Sequence, residues 1–300
     1  MRDNSKHFTA AITAFIIWGF FAIPLRGLIE YTSGQILYFR ILFALLILIV
    51  VMFGFRRKAL ADNMHKFMAL TSLQKRSITV LTLVGGLLLT MNWLIFIYIV
   101  NHVNIKTASF SYLICPVLTA VLGYILIKEN LTRIQWIAVA LCAISCIMIG
   151  FHSLLEIGYS LVTALTYALY LISQRKNQGF DRLAVLGVQI MFSFVIFSFA
   201  YSTLVPTLPT EGYFYGVIFI IASVFTVVPL FLNLFALNKI NSATIGILMY
   251  LNPIINFSVA FIVFGEEVTI LQLAGYMIIL AALVLFNIPT FRRLRKSVAV

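Results

Sequence analysis

The sequence predicts an all-α membrane protein with ten transmembrane helices, arranged as two inverted-topology repeats of five helices each. Three observations carry this prediction: the composition, a series of long apolar segments and an internal repeat. Hydrophobic residues make up 62% of the 300 residues and charged residues 10%, whereas a soluble domain carries about 25% charged residues. Because so few charges cannot cover a soluble globule, lipid must contact much of the surface.

Ten segments are long enough to cross a bilayer, which takes about 20 mostly apolar residues per helix. We predict spans at residues 8–28, 34–55, 77–100, 105–127, 132–150, 152–173, 181–204, 212–237, 241–264 and 269–288. The first segment is too long for a cleavable signal peptide and lacks a small-residue cleavage site. The predicted domains are two five-helix units, 1–150 and 151–300, and the second ends in a basic tail.

Basic residues predict the orientation, because Lys and Arg concentrate in the cytoplasmic loops of membrane proteins. With ten spans, 18 of the 21 Lys and Arg residues fall on the side of the two termini, two fall on the other side, and Arg40 lies within a span. We therefore expect a multi-pass protein of a bacterial inner membrane with both termini in the cytoplasm. The same distribution accounts for the net charge of +12 without a nucleic acid as partner.

The long loop 56–76 is basic and contains apolar residues at intervals. Such a segment is expected to lie on the membrane surface, held by anionic lipid headgroups. Docking of another protein is the alternative, although no feature of the sequence indicates an obligate protein partner.

An internal repeat emerges when the sequence is shifted by 137 residues, which aligns 101–135 with 238–272 without a gap. Scarce residues match in this alignment: Asn101/Asn238, Thr107/Thr244, Pro116/Pro253, Glu129/Glu266, Thr132/Thr269 and Gln135/Gln272. Each half holds an odd number of spans, so the second half enters the membrane from the opposite side. Many alternating-access transporters have this arrangement, with the substrate site between the halves near the membrane midplane.

Several runs of residues carry a family resemblance: FIIWGF at 15–20, NWLIFIYIVN at 92–101, SYLICPVLTAVLGYILIKENLTRIQWIAV at 111–139, VVPLFLNLFAL at 227–237 and ATIGILMYLNPIINFSVAFIVFGEE at 243–267. With these runs the chain resembles the EamA-type permeases of the drug/metabolite transporter superfamily, and within them the RarD-like branch. The resemblance implies a ten-helix fold and the transport of small metabolites. Lys128 stands where the family usually has a glycine before the glutamate of that span.

Polar and aromatic residues inside the predicted spans are the candidates for a substrate cavity. Lipid offers amides, hydroxyls and charges no partners, so these side chains should turn inward. Aromatic rings would supply apolar walls, and amides would orient a polar head. The candidates are Arg40, Asn92, Trp93, Tyr112, Tyr167, Tyr170, Asn233, Asn252 and Asn256. For the tyrosines, packing between helices is the alternative.

Arg40 lies six residues into the second predicted span, where a central charge costs about 2.5–3.5 kcal/mol on insertion scales. In one interpretation it binds a substrate carboxylate near the external mouth of the cavity or holds a gate. In the other, its side chain reaches out to the external headgroups, because long basic side chains near a span end can do so.

Two prolines and two glutamates are candidate hinge and gate residues. Pro116 and Pro253 each free a backbone carbonyl one turn earlier, which is useful in a cavity wall and otherwise a structural kink. Glu129 and Glu266 close their spans at opposite membrane faces. Each could gate its own side, and we favour the alternative that each caps the positive N-terminus of the following helix.

These features predict a secondary active transporter, exporting a small amphipathic metabolite such as an amino acid. No glycine-rich nucleotide loop or metal-ligand spacing is present, so no cofactor or metal is expected. The three aspartates lie outside the spans or at their edges, which argues against an intramembrane enzyme. A non-transporting membrane subunit or scaffold is the alternative.

Cysteines introduced singly at positions 208 and 297 test the predicted topology, in a variant without Cys115, Cys142 and Cys146. In right-side-out vesicles, a membrane-impermeant thiol reagent should label Leu208→Cys directly and Ser297→Cys only after permeabilisation. Labelling of position 208 from the inside would contradict the topology.

Overall fold

The computed structural model describes residues 2–103, 105–149, 154–177, 179–263 and 269–298, and the regular structure within these ranges is entirely helical. The all-α prediction is confirmed. The first half contains α1 (Arg2–Gly19), α2 (Ala22–Arg26), α3 (Ser33–Val50) with a π-helical turn at Val51–Phe55, α4 (Arg57–Met68), α5 (Ser72–His102), α6 (Ile105–Ile127) and α7 (Arg133–Ile149).

The second half contains more interrupted helices. They are α8 (Leu154–Lys176), α9 (Arg182–Phe199), α10 (Tyr201–Leu204), α11 (Gly212–Ala222), a π-helical turn at Ser223–Val227, α12 (Val228–Ala236), α13 (Ser242–Leu248), α14 (Leu251–Ile262) and α15 (Ile270–Val298). The predicted span 241–264 is therefore two short helices, and it breaks at residues 249–250, just before Pro253.

Seven helical segments among the described residues are long and apolar enough to cross a membrane: Ser5–Arg26, Ser33–Phe55, Ser72–Ile99, Phe110–Ile127, Leu155–Lys176, Arg182–Phe199 and Gly212–Ala236. Arg133–Met148 and Leu273–Pro289 are shorter apolar helices. The chain is thus a multi-pass helical protein. The count of ten spans, the division at residue 150 and the orientation remain predictions.

Side chains at the helix starts explain several of the boundaries. Thr32, Thr71 and Thr132 each bond reciprocally with a glutamine three residues later, which is the capping-box arrangement that satisfies the first backbone N–H groups of a helix. Asp181 and Asn241 accept hydrogen bonds from the first turns of α9 and α13. Short polar side chains therefore fix where five helices begin.

The packing partners of the helices exchange between the two halves. Helix α1 packs on α12 and α14, and its counterpart α8 packs on α5 and α6. Helix α3 packs on its own counterpart in the second half, α9, and α7 packs on its counterpart α15. At the crossing of α6 and α13, a Cβ atom on Gly246 would lie 2.9 Å from the Cβ atom of Thr119, so glycine permits this close approach. The exchange of partners supports a two-fold relation between the halves.

The loop 56–76 contains α4, which lies against the α8–α9 connection. Arg56 forms a 2.9 Å ion pair with Asp181, and the backbone N–H of Asp181 donates to the side-chain oxygen of Asn63 at 3.0 Å. The rings of Phe67 and Phe180 are in contact. We call this end of the molecule the basic end. Part of the predicted surface segment therefore contacts protein.

Lys128 has a φ of 53°, directly after the last residue of α6. A non-glycine residue in this left-handed region carries a strain of roughly 1–2 kcal/mol. Lys128→Gly should raise the free energy of unfolding by about 1 kcal/mol, measured by thermal melting in detergent. Ala61→Gly, in the exposed interior of α4, should lower it by about 1 kcal/mol. A lower melting temperature for Lys128→Gly would contradict the strain.

Candidate functional site

Arg40 lies inside the protein, on the first half of α3. Its side chain is 4% exposed, so it does not reach out to the membrane surface. Its Nε donates a 2.8 Å hydrogen bond to the hydroxyl of Thr226. The second interpretation of the sequence, a side chain extended to the external headgroups, is not what the structure has.

The remaining surroundings of the Arg40 guanidinium are aromatic. The guanidinium carbon lies 4.2 Å from the ring centre of Trp93 and 5.1 Å from that of Phe21, and the Tyr112 phenol is within range of its charge. Among the described residues no carboxylate lies within ion-pair distance of Arg40. A desolvated cation over an aromatic face gains about 2 kcal/mol, less than the several kcal/mol that desolvation costs. The charge is therefore only partly compensated.

Tyrosines extend this environment away from Arg40. The ring of Tyr167 lies 6.3 Å from Tyr112 and 5.7 Å from Tyr170, and its hydroxyl accepts a 3.3 Å hydrogen bond from Asn233. We call the following residues the central cluster: Arg40, Trp93, Tyr112, Tyr167, Tyr170 and Asn233. Helices from both halves contribute to it, and it is the largest group of predicted cavity residues that the structure brings together.

The π-helical turn at Ser223–Val227 gives the central cluster one hydrogen bond and also binds the side chain of Trp18. The Thr226 hydroxyl accepts from Arg40 and donates to the carbonyl of Ile221, five residues earlier. The carbonyl of Phe225 accepts a 2.9 Å hydrogen bond from the indole N–H of Trp18. Turns of this kind are rare in proteins, and those that occur are often found at functional sites. They turn backbone and side-chain groups away from the regular hydrogen-bond ladder of the helix.

The three other predicted cavity residues lie apart from the central cluster. The Asn92 amide donates to the carbonyl of Thr163 at 2.8 Å and thereby joins α5 to α8. Asn256 donates to the side-chain oxygen of Asn252 at 3.2 Å. In the described part of the chain none of these three asparagines makes a hydrogen bond with a residue of the central cluster. Their role in substrate binding remains a prediction.

Glu129 caps a helix of the opposite half. Its carboxylate accepts hydrogen bonds from the backbone N–H groups of Ser242 at 2.8 Å and Ala243 at 3.1 Å, and from the Ser242 hydroxyl at 2.7 Å. Arg175 lies 3.7 Å away. The prediction that Glu129 caps the helix that follows it, α7, was wrong, because Thr132 already caps that helix. Glu129 is therefore free to join the halves at the basic end.

The structure says less about the roles of the other hinge and gate candidates. Pro116 lies in α6 beside α13, with its Cα 3.5 Å from where a Cβ atom on Gly246 would be. Pro253 lies in α14 and is buried. Glu266 lies outside the described residues. A hinge role for either proline remains a prediction.

Polar contacts also hold chain segments together at the end of the molecule opposite the basic end. The Tyr31 hydroxyl donates to Glu211 at 2.9 Å, and the Gln35 amide donates to the carbonyl of Thr207 at 2.6 Å. Partial desolvation and the Glu211 carboxylate raise the pKa of the Tyr31 hydroxyl. The connection 205–211 is thus held against the start of α3.

Three residues that the sequence did not mark as cavity candidates lie close to the two buried arginines or are one of them. Phe21 and Thr226 were two of many apolar or hydroxyl residues in the spans, and nothing in the local sequence marks the π-helical turn. Arg182 was counted with the basic loops, although the structure buries it at the start of α9. Among the described residues, no three His, Cys, Asp or Glu side chains form a group that could hold a metal.

The family model of EamA-like transporters matches the chain twice, over residues 6–151 and 154–288. The chain belongs to the EamA-like transporter family. The uncharacterized transporter YojE of Bacillus subtilis is 26% identical over 98% of each chain. Protein RarD of Escherichia coli is 25% identical, over 96% of this chain and 95% of RarD. The RarD-like resemblance read from the sequence is confirmed.

A solved crystal structure shares the fold. It matches with a TM-score of 0.73 at 12% identity, over 97% of this chain and 99% of that chain. At this identity the match concerns the fold alone. The fold is that of a multi-pass transporter family across nearly the whole chain.

Glu129→Gln should weaken the contact between the halves. An amide accepts hydrogen bonds without the negative charge that favours a helix N-terminus, and hydrogen bonds to charged groups contribute about 1.5–3 kcal/mol. The free energy of unfolding should fall by about this amount in thermal melting. Glu30→Gln, at an exposed glutamate, should change it by less than about 0.5 kcal/mol. Equal effects of the two substitutions would contradict the contact.

Proposed function

We propose that the protein is a secondary active transporter that exports a small amphipathic metabolite with a carboxylate, such as an amino acid, by alternating access. The proposal rests on one observation. Arg40 is buried between the halves of a transporter-family protein, and no carboxylate pairs with it in the described residues. A substrate carboxylate would supply the missing charge.

The central cluster supports an amphipathic substrate. Trp93, Tyr112 and Tyr167 would supply aromatic surface to an apolar body beside Arg40. The side-chain oxygen of Asn233 is buried without a hydrogen-bond partner, and such a group is unusual unless water or a ligand completes it. This acceptor would suit an ammonium group, and Arg40 would suit a carboxylate. The combination favours an amino acid over an inorganic ion.

The contacts of Glu129 support alternating access. For substrate to enter from the basic end, which we infer to be cytoplasmic, the Glu129–α13 contact has to open. The polar part of this contact consists of three hydrogen bonds to the Glu129 carboxylate, which can break and reform at modest cost. The protein would then work in the inner membrane with both termini in the cytoplasm, and without an enzymatic activity of its own.

A non-transporting subunit or scaffold is the rival function. Such a protein gains nothing from an uncompensated buried charge, which costs stability. A scaffold would therefore be stabilised when Arg40 is replaced by an uncharged residue of similar size, and it would show no affinity for small carboxylates.

Three aromatic probes of similar size test the substrate class: benzoate, benzyl alcohol and benzylamine. Benzoate should raise the melting temperature of the purified protein. It should also quench or shift the fluorescence of Trp93, measured in a variant in which Trp18 and Trp136 are phenylalanine, because its carboxylate would pair with Arg40 beneath that ring. A ligand at 100 times its Kd adds about 2.7 kcal/mol of stability. Equal stabilisation by benzylamine, or none by benzoate, would contradict the proposal.

Arg40→Gln should lower benzoate affinity by about tenfold or more, as expected when a charge-assisted hydrogen bond is lost. Arg40→Lys should retain part of the affinity. In proteoliposomes, efflux of labelled amino acids by Arg40→Gln should fall while its melting temperature stays level or rises. Arg133→Gln, at an exposed arginine, is the control and should behave as wild type. Unchanged efflux in Arg40→Gln would defeat the assignment.

A further inference from the structure

A second buried arginine lies at the basic end. Arg182 begins α9 and is 3% exposed. Its Nε donates to the side-chain oxygen of Asn238 at 2.8 Å, and its Nη1 donates to the carbonyls of Asn177 at 2.9 Å and Gln174 at 3.2 Å. Its Nη2 is buried without a hydrogen-bond partner. One side of the guanidinium is therefore held by neutral oxygens, and the other side is left without an acceptor.

No carboxylate among the residues that the structure describes balances the charge of Arg182. In the described residues it forms no ion pair, and its acidic neighbour in sequence, Asp181, is engaged elsewhere with Arg56 and with the first turn of α9. Arg175, also positive, is close enough to interact with it unfavourably. A buried cation without a counter-charge is costly, so a bound anion would stabilise this site.

Further buried polar atoms without hydrogen-bond partners lie on residues of α8, of α9 and of the connection between them. The hydroxyl of Tyr170 and the side-chain oxygens of Gln174, Asn177 and Gln189 are all buried without a hydrogen-bond partner. A ligand with both an anionic group and a donor, such as the zwitterionic head of an amino acid, could satisfy the Nη2 donor and these acceptors together. Water could satisfy the acceptors alone.

Tyr170 links this region to the central cluster. It interacts electrostatically with Arg182 on one side, and its ring lies 5.7 Å from that of Tyr167 on the other. Tyr167 in turn contacts Tyr112, which is within range of Arg40. Two buried arginines without carboxylate partners are thus joined by a row of tyrosines that leads inward from the basic end.

We propose that Arg182, with the Tyr170 hydroxyl, forms a second anion-binding site that receives the substrate carboxylate at the basic end before it moves to Arg40. This inference rests on the proposed function for its substrate. The site predicts two separable binding steps for a small carboxylate, one that Trp93 senses and one that it does not.

Benzoate binding to the full-length protein in nanodiscs separates the two sites. Trp93 fluorescence reports on Arg40, and the melting temperature reports on binding at either arginine. Arg40→Gln should lose the fluorescence response yet keep part of the thermal stabilisation. Arg182→Gln should keep the fluorescence response and lose part of the thermal stabilisation. The double variant should lose both the fluorescence response and the stabilisation. Arg133→Gln, which also replaces the first residue of a helix at this end, should match wild type.

Two further variants guard against a folding defect in Arg182→Gln. Arg182→Lys should restore part of the stabilisation because it keeps the charge. Tyr170→Phe removes a hydroxyl that has no partner, so a purely structural role predicts unchanged or higher stability without ligand and unchanged benzoate binding. In the Arg40→Gln background, the proposal predicts at least about a tenfold loss of the remaining benzoate affinity.

The outcomes distinguish the two proposals. If Arg40→Gln alone abolishes all stabilisation by benzoate, Arg182 binds no anion, the space beside it holds water only, and the second site is refuted while the proposed function stands. If Arg40→Gln keeps the full Trp93 response, the proposed function fails at its own site, whatever Arg182 does.

Discussion

The uncompensated charge of Arg40 is the constraint around which the interior is organised. Within the described part of the chain, its hydrogen bond goes to Thr226, which a π-helical turn presents, and Trp93 and Phe21 flank the guanidinium. Each of these features reduces the cost of a buried cation without supplying a counter-charge. A protein that only needed stability would gain from an apolar residue here, so the charge makes sense as one half of an interaction with a substrate.

The two halves meet through close approach and through a few polar contacts. Gly246 lets α13 cross α6 near Pro116, and Gly123 leaves room for the Glu129 carboxylate, since a Cβ atom there would lie 2.9 Å from its Oε2. At the other end, Tyr31 and Gln35 hold the connection 205–211. Polar side-chain contacts therefore contribute to closing both ends of the molecule, and at the basic end they add to the packing of α13 on α6.

Local features of the sequence predicted most of the helices, and six of the nine predicted cavity residues form the central cluster. Residues 105–127 were predicted within their observed limits because a long apolar run defines them, and Arg40 stood out because a charge in a span is rare. The partner of Glu129 could not be read locally, since Ser242 lies 113 residues away. Thr226 was not predicted as a site residue for another reason, because a π-helical turn leaves no signature in hydrophobic periodicity.

The most direct measurement of the central claim is a distance between substrate and arginine. L-phenylalanine labelled with 13C at its carboxyl carbon, bound to 15N-arginine-labelled protein in lipid, allows a solid-state NMR dipolar-dephasing experiment. The account predicts dephasing from guanidinium nitrogens within hydrogen-bond range of the carboxyl carbon, strongly reduced in Arg40→Gln and retained in Arg133→Gln. Dephasing that persists unchanged in a variant without both Arg40 and Arg182, or none at saturating ligand in wild type, would contradict it.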